Sequence, residues 1–434
     1  MSLLEHAKAQ ELLADATLTA AAVRHCQEHL SQFLQRYLPR FYRQEQRELA
    51  TLVIQGRLSG LERKTSEPIA IQAGHTRKPV QHFVGAGLWD DEAMMAELRA
   101  HVAEELGDPD AVLVVDGSSF PKKGTASCGV ERQWCGRLGK LDNCQVGVFL
   151  SYAAPGGHAP LDRRLYLPEG WASDRKRRRQ THVPKEVVFQ EKWRIALDLL
   201  QRSGPDVPHG WVAGDDEFGR ATAFRAELRR RHERYVLDVP ANTLVRELAP
   251  RPGGGRPSFE RAEAWAARQP TGRWKTITLR AGEQGPLKVR ALARRVQTKD
   301  EDGRLGPSET LLVIRSLGPE TRIWYALSNA RRRERLPRLV AVHGERHRIE
   351  EVLQEGKGEV GLAQYEVRSW VGWHHHMTLA LLGLWFLTLE RRRLGGKNTG
   401  TDSGPGATGV QPVAAAAAAE ARTNRSGGQR GAAA

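Results

Sequence analysis

From residue 9 to about residue 105, apolar positions recur every three or four residues. "HLSQFLQRYLPRFY" and "EQRELATLVIQGRLSGLE" each carry one apolar stripe, which predicts amphipathic helices. "SGLERKTSEPIAIQAG" reads as a turn between short helices, with Gly and Pro as punctuation. "DDEAMMAELRAHVAEELG" predicts a further helix, opened by acids and closed by Gly107. After Asp110 the period changes. "AVLVV" predicts a buried strand, and "SCGVERQWCG" and "CQVGVFLSYA" read as two more. "KEVVFQEKWRIALDLLQR" predicts a helix, "GWVAGD" a short strand, "ATAFRAELRRRH" a helix, and "RYVLDVP" a strand stopped by Pro240. This order, three strands and then helix, strand, helix, strand, implies a mixed sheet covered by helices.

Between about Ala241 and Ser328 the pattern is β-rich. "WKTITLRAG", "PLKVRALARRV", "ETLLVIRSLG" and "TRIWYALSN" predict successive strands, after a flexible loop at "RPGGGRP". Helical periodicity returns near Leu336 and lasts to about Arg393. It includes "MTLALLGLWFLTL", which is too short to span a bilayer and predicts a buried helix. The last stretch is rich in Gly, Ala and polar residues. It has too little apolar area to offset its ordering entropy, which predicts disorder. The expected organisation is a helical unit over 1–108, the first part of an α/β core over 109–240, a β-rich insertion over 241–330, the rest of the core over 331–393 and a disordered tail over 394–434. The helical unit is compatible with a helix-turn-helix for DNA-end recognition and equally with a plain packing bundle.

Composition narrows the partner. The 434-residue chain carries a formal charge of +15, and its pI is near 10. That calls for an anionic partner. Nucleic acid is the commonest one, and membrane lipid is the rival. No membrane partner is expected, since the longest apolar run is too short. The first residues are acidic early and lack a basic stretch before an apolar one, so no signal peptide is expected. Four cysteines without a C-x-x-C pair fit a reducing cytoplasm, and Cys128, Cys135 and Cys144 read as small strand residues rather than zinc ligands. His374 to His376 read as packing or surface residues rather than a metal site.

The candidate chemistry lies in acids. Asp116 closes the first apolar strand and Asp215 closes "GWVAG", so the two face one another if those strands are neighbours. Asp216 and Glu217 compete with Asp215, and a helix N-cap is its structural alternative. In "HGERHRIEEVLQEGKGE", Arg346, Glu350 and Lys357 fall on one helical face. That stripe is either a solvated ion-pair ladder or a metal-binding carboxylate between phosphate-holding neighbours. Three carboxylates without His or Cys suit Mg²⁺ or Mn²⁺.

At these residues the chain resembles the DDE transposases of bacterial insertion sequences, in the branch with a Y-x2-R-x3-E-x6-K signature. Here His343, Arg346, Glu350 and Lys357 stand at that spacing, with His343 in place of the tyrosine. "NCQVGVFLSY" and "KGEVGLAQYEVRSWVGWHHHMTLALL" are also similar to stretches of that family, while Phe218 stands where relatives often have tyrosine. The resemblance implies a ribonuclease H-like fold: an α/β mixed sheet with flanking helices, a β-rich insertion and an N-terminal helical unit. It places Asp116 on the first strand, Asp215 on the fourth and Glu350 on a later helix, as catalytic residues and ligands of Mg²⁺ or Mn²⁺, two ions in all. It implies a cytoplasmic enzyme that cuts transposon-end DNA at inverted repeats and joins it to target DNA, as a homodimer on paired ends. The alternatives are a catalytically idle DNA-binding relative and a Mg²⁺-dependent nuclease without strand transfer. Arg346, Lys357 and His343 would then touch DNA near the cut. Lys122 and Lys123 lie just past Asp116 and read as further contacts or as a hairpin turn. Arg175, Lys176, Arg177, Arg178 and Arg179 read as a loop, either solvated or tracking phosphates. Trp274 reads as a core residue or as a platform for an unpaired base.

Overall fold

The computed structural model describes residues 20–248, 257–282, 285–300, 302–317 and 321–393. The helical expectation for 9–19, the loop at 251–256 and the tail at 394–434 lie outside the described residues.

Among the described residues five α-helices come first: α1 (Ala20–Tyr37), α2 (Gln44–Leu58), α3 (Ser66–Gln72), α4 (Arg77–Gly85) and α5 (Asp91–Leu106). α5 begins where its sequence signals it should, because the Asp90 carboxylate accepts from the Glu92 and Ala93 N–H groups at 3.0 Å. These helices do not form a unit apart. α1, α2, α4 and α5 pack on the last described helix, α14 (Trp370–Arg393), which is buried along nearly its whole length. One hydrophobic core runs from Cys26 and Leu30 through Val114 and Val212 to Trp385 and Phe386. No helix among the described residues is long and apolar enough to cross a membrane.

The catalytic-type sheet is built from β1 (Val112–Pro121), β2 (Glu131–Cys135), β3 (Lys140–Ala154), β4 (Gly157–Leu165), β5 (Trp211–Gly214) and β6 (Tyr235–Asp238). β3 lies antiparallel to β1 and carries β4 antiparallel on its other side. β5 pairs parallel with β1, and β6 parallel with β5. The order β4-β3-β1-β5-β6, three antiparallel strands and then two parallel ones, is the ribonuclease H-like arrangement that the resemblance implied. Helices α6 (Glu169–Ser173), α7 (Arg175–Gln180), α8 (Lys192–Ser203), α9 (Asp216–Gly219) and α10 (Thr222–Arg230) fill the connections.

Four expectations need correction. β4 was absent from the sequence-based pattern because Asp162 and Arg163 interrupt its apolar run, yet both are fully buried there. Asp116 does not end its strand: β1 continues to Pro121 against β3, and only the ladder to β5 stops at Val115. The basic run from Arg175 is the helix α7 and not a loop, because the Asp174 carboxylate caps it by accepting from the Lys176 and Arg177 N–H groups at 2.9 Å. Finally, the β-rich segment is not a separate unit. Its strands β7 (Leu244–Glu247), β8 (Glu260–Arg261), β9 (Lys275–Gly282), β10 (Gly285–Lys299), β11 (Leu305–Ser316) and β12 (Ile323–Ser328) extend the same sheet, joined edge to edge where β12 pairs with β6. Leu312 and Ile314 of β11 face the main core, while Leu311 and Val313 face a second core with Trp265 of α11 (Ala262–Ala267). A strand covered on both faces reads as a continuous apolar run, as this one does.

The buried charges of β4 hold the layers together. The Asp162 carboxylate accepts from Arg202 at 2.8 Å through two nitrogens and from the Ser203 hydroxyl at 2.7 Å. Arg163 donates to Asp91, to Glu92 at 2.9 Å and to Thr378 at 2.8 Å. Burial alone would raise the Asp162 carboxyl, but the guanidiniums of Arg202, Arg163 and Arg99 hold it below the usual carboxylate range. Asp162→Ala removes the buried acid that those three guanidiniums share and is expected to cost about 3–5 kcal/mol, read as a lower urea midpoint.

Candidate active site

β1, β5 and β6 run parallel, with Val115 beside Gly214 and Gly214 beside Leu237. The next residue on each strand is an aspartate: Asp116, Asp215 and Asp238. Three carboxylates thus stand in register just past the point where the parallel ladders end, the side on which open α/β sheets form their binding crevice. Asp215 is both the first residue past β5 and the N-cap of α9, accepting from the Glu217 N–H at 3.0 Å. The N-cap reading of Asp215 is thus met, in a side chain whose charge is also felt by Asp116. α9 lies tight on β6: a Cβ on Gly219 would stand 1.8 Å from the Asp238 carbonyl oxygen, so only glycine fits.

The glutamate comes from α12 (Leu336–Glu345) and α13 (His347–Glu359), which meet at Arg346. α13 packs on β1 and β3, and α12 on β5 and β6. The expected stripe starts at Arg346, the N-cap of α13, whose backbone stays helical at φ −53 and ψ −36, and runs along α13 through Glu350 to Lys357, while His343 lies on α12. At this joint Arg346 forms an ion pair with Asp238, Nε to Oδ2 at 3.1 Å, and donates from NH1 to Glu350 at 3.0 Å. His343 Nε2 lies 2.9 Å from the other Asp238 oxygen, and His347 Nδ1 3.0 Å from Glu350 Oε2.

The electrostatics single out the same residues. Withdrawal from water, followed by the neighbouring Asp215 and Glu350 carboxylates, pushes Asp116 up to about 8, against the Gly117 N–H at 2.7 Å and Arg346. Burial, then Glu217 and Asp216, pushes Asp215 up to about 6. Glu350 is held below its usual range by the His347 hydrogen bond and by Arg346. Burial works against the charge on Arg346, but Asp238, Glu350, Asp116 and Asp215 all favour it. Lys357, in the last turn of α13, is lowered by burial and by Arg137, while Asp116 acts the other way.

A cation would relieve the repulsion between carboxylates crowded in this way, and their all-oxygen donor chemistry fits Mg²⁺ or Mn²⁺. Among the described residues no three such ligands close on one point as the side chains stand. Glu350 is turned instead toward Arg346 and His347, though its charge is still felt by Asp116.

The remaining sequence-based candidates lie apart from this row. Lys122 sits over the Tyr365 ring at 3.3 Å and donates to the Tyr365 carbonyl at 3.2 Å, while Lys123 is exposed. Arg177 stacks on Trp171 at 3.6 Å, and Arg178 donates to the Pro184 carbonyl at 2.8 Å. Arg175, Lys176 and Arg179 are exposed. Trp274 is half-buried against the second core, with the Arg315 guanidinium 5.0 Å from its ring. His374, His375 and His376 are packing residues that meet the carbonyls of Trp370, Trp89 and Leu362.

Sequence reasoning missed Asp238 and His347, which border this candidate site, and weighed Glu217 only as a competitor of Asp215. Glu217 overhangs Gly117, where a Cβ would stand 3.3 Å from its Oε2. For Asp238 the signal was present, because an acid at the end of an apolar strand is the cue that found the other two.

The family model for DDE superfamily endonucleases matches residues 36–289, more than half of the chain. This chain belongs to the DDE superfamily endonucleases. The match takes in Asp116 and Asp215 and stops before Glu350. Enzymes of the family use divalent metal ions in general. A curated relative, a probable transposase for insertion sequence element IS701 from Microchaete diplosiphon, is 29% identical over 198 residues, 45% of this chain and 49% of the relative. The chain thus spans about half the length of the curated relative it matches. Among solved structures, a cryo-EM structure of the piggyBac transposase synaptic complex with hairpin DNA aligns at a TM-score of 0.42 and 10% identity, covering 89% of this chain and 73% of that one.

Proposed function

We propose that this endonuclease is a transposase, which cuts at the ends of an insertion sequence and joins them to target DNA. The observation that supports this most is the row of Asp116 and Asp215 with Glu350 held within reach by Arg346. Asp116, Asp215 and Glu350 would hold two Mg²⁺ or Mn²⁺ ions. The ions supply Lewis-acid activation of water or a 3′-hydroxyl and screen charge on the phosphodiester. The chain supplies position. β1 and β5 fix two carboxylates on buried strands, so they cannot drift from the reacting phosphate. Arg346 offers the phosphate a planar donor pair and Lys357 a point charge. Inverted repeats at the element's ends and target DNA are the partners, with two protomers on paired ends, in the cytoplasm. The test is incubation with Mg²⁺ and DNA bearing the flanks of the gene. Nicking at a flank and joining of a pre-cut end support the reading. Nicking without joining marks a nuclease, and binding with neither marks an idle relative.

General DNA affinity is assigned to exposed cations, and α7 separates two kinds. Neutralising Arg175, Lys176 and Arg179 is expected to weaken binding to every sequence alike and to flatten the log–log salt dependence by about 0.9 for each phosphate no longer neutralised. Arg177→Ala and Arg178→Ala should instead lower the melting temperature and leave the slope unchanged. Equal slopes in all variants would place α7 away from DNA.

A further inference from the structure

We propose that Asp238 is a positioning residue of this site, fixing Arg346 and His343 so that the guanidinium stays at the reacting phosphate while Glu350 changes partners. The inference rests on the transposase reading. Asp238 stands one register step beyond Leu237, in line with Asp116 and Asp215. Its neighbour on the far side is Ala326 of β12, so the insertion's own strand locks its backbone. The residue is only 8% exposed. Its two oxygens are divided: one lies 2.9 Å from His343 Nε2, the other 3.1 Å from Arg346 Nε.

The division matters because Arg346 has a second acid, Glu350, on NH1 at 3.0 Å. If Glu350 alone held the guanidinium, Arg346 would follow it whenever it turned toward Asp116 and Asp215. An anchored Nε keeps the flexible side chain in place through that exchange, which is what preorganisation of a phosphate donor requires. Asp238 also gives a role to the histidine in the signature's tyrosine position. The His343 ring packs edge-on to Trp324 with centroids 6.2 Å apart. With that ring packed, His343 Nε2 stays beside the Asp238 oxygen that Arg346 does not meet. The competing explanation is a purely structural tie between α12 and β6.

The experiment uses the full chain with Asp238→Asn, Arg346→Ala and the double variant. Single-turnover cleavage of end DNA is measured at saturating protein, beside affinity for random duplex. Asp238→Asn should slow cleavage by about 10–100-fold, the usual effect of removing an orienting partner, with random-duplex affinity nearly unchanged. In the Arg346→Ala background it should cost nothing further. Additive losses would mean that Asp238 acts on the fold and overturn the proposal. So would parental cleavage by Asp238→Asn. A second measurement needs no activity: NMR exchange of the Arg346 Nε–H in the metal-free protein should be slow in the parent and fast in Asp238→Asn. Equal exchange overturns the proposal. A parent that never cuts defeats only the transposase reading, and the exchange measurement then decides on Asp238.

Discussion

Glu350→Gln is expected to slow DNA cleavage by about 10³-fold or more, the several kcal/mol that a lost metal-ligating carboxylate removes from transition-state stabilisation. Binding should hardly change. The substituted amide would keep an oxygen for Arg346 NH1, now 3.0 Å from the Glu350 carboxylate, and the first turn of α13 is partly exposed there. What the amide lacks is the charge that an ion demands. The check is cleavage of end DNA in Mg²⁺ beside an affinity measurement on the same duplex. A variant that cuts as fast as its parent would remove Glu350 from the ligand set. Glu351 is then a poor substitute, because Arg348 holds it at 2.8 Å and it is buried. Glu217, which overhangs Gly117 beside Asp116, would be the next candidate.

The acids were legible in the sequence for a physical reason. A buried strand that ends on a charge is costly unless the charge has a use, so Asp116 and Asp215 stood out against their apolar runs. Glu350 was legible through its spacing from Arg346 and Lys357. Asp238 carried the same cue as the first two, but Pro240 directed attention to a strand stop instead. β4 was hidden by Asp162 and Arg163, because charges paired across α5, α8 and α14 leave no local trace. The joining of the insertion to β6 was hidden for a related reason. The pairing of Ala326 with Asp238 is set by residues far apart in sequence. Amphipathic stripes likewise showed that α1 to α5 each bury a face. They could not show that the burying partner of α1, α2, α4 and α5 is α14, nearly three hundred residues or more further on.

Asp116→Asn should also abolish cleavage, by about 10³-fold or more on the same metal-ligand argument, and it should make the metal-free protein more stable. The two effects have one cause. In the folded chain, burial and the Asp215 carboxylate keep the Asp116 proton up to about 8, whereas an unfolded aspartate releases it near about 3.9. Between those values the folded state binds more protons than the unfolded one. This group's contribution to stability is therefore whole below the unfolded value and is lost as pH rises through the folded one. Asparagine has nothing to titrate. At about pH 4 the variant and the parent should melt together, and near pH 8 the variant should melt higher by roughly 2 °C or more, the shift that about 1 kcal/mol produces in a chain of this size. Adding Mg²⁺ should close that gap from the parent's side, since a cation between Asp116 and Asp215 relieves the repulsion that the variant no longer has. Melting curves at both pH values, with and without Mg²⁺, decide the matter. A parent whose stability does not fall across this window would mean that Asp116 is already ionised at neutral pH without strain, and the crowding that defines the site would be absent.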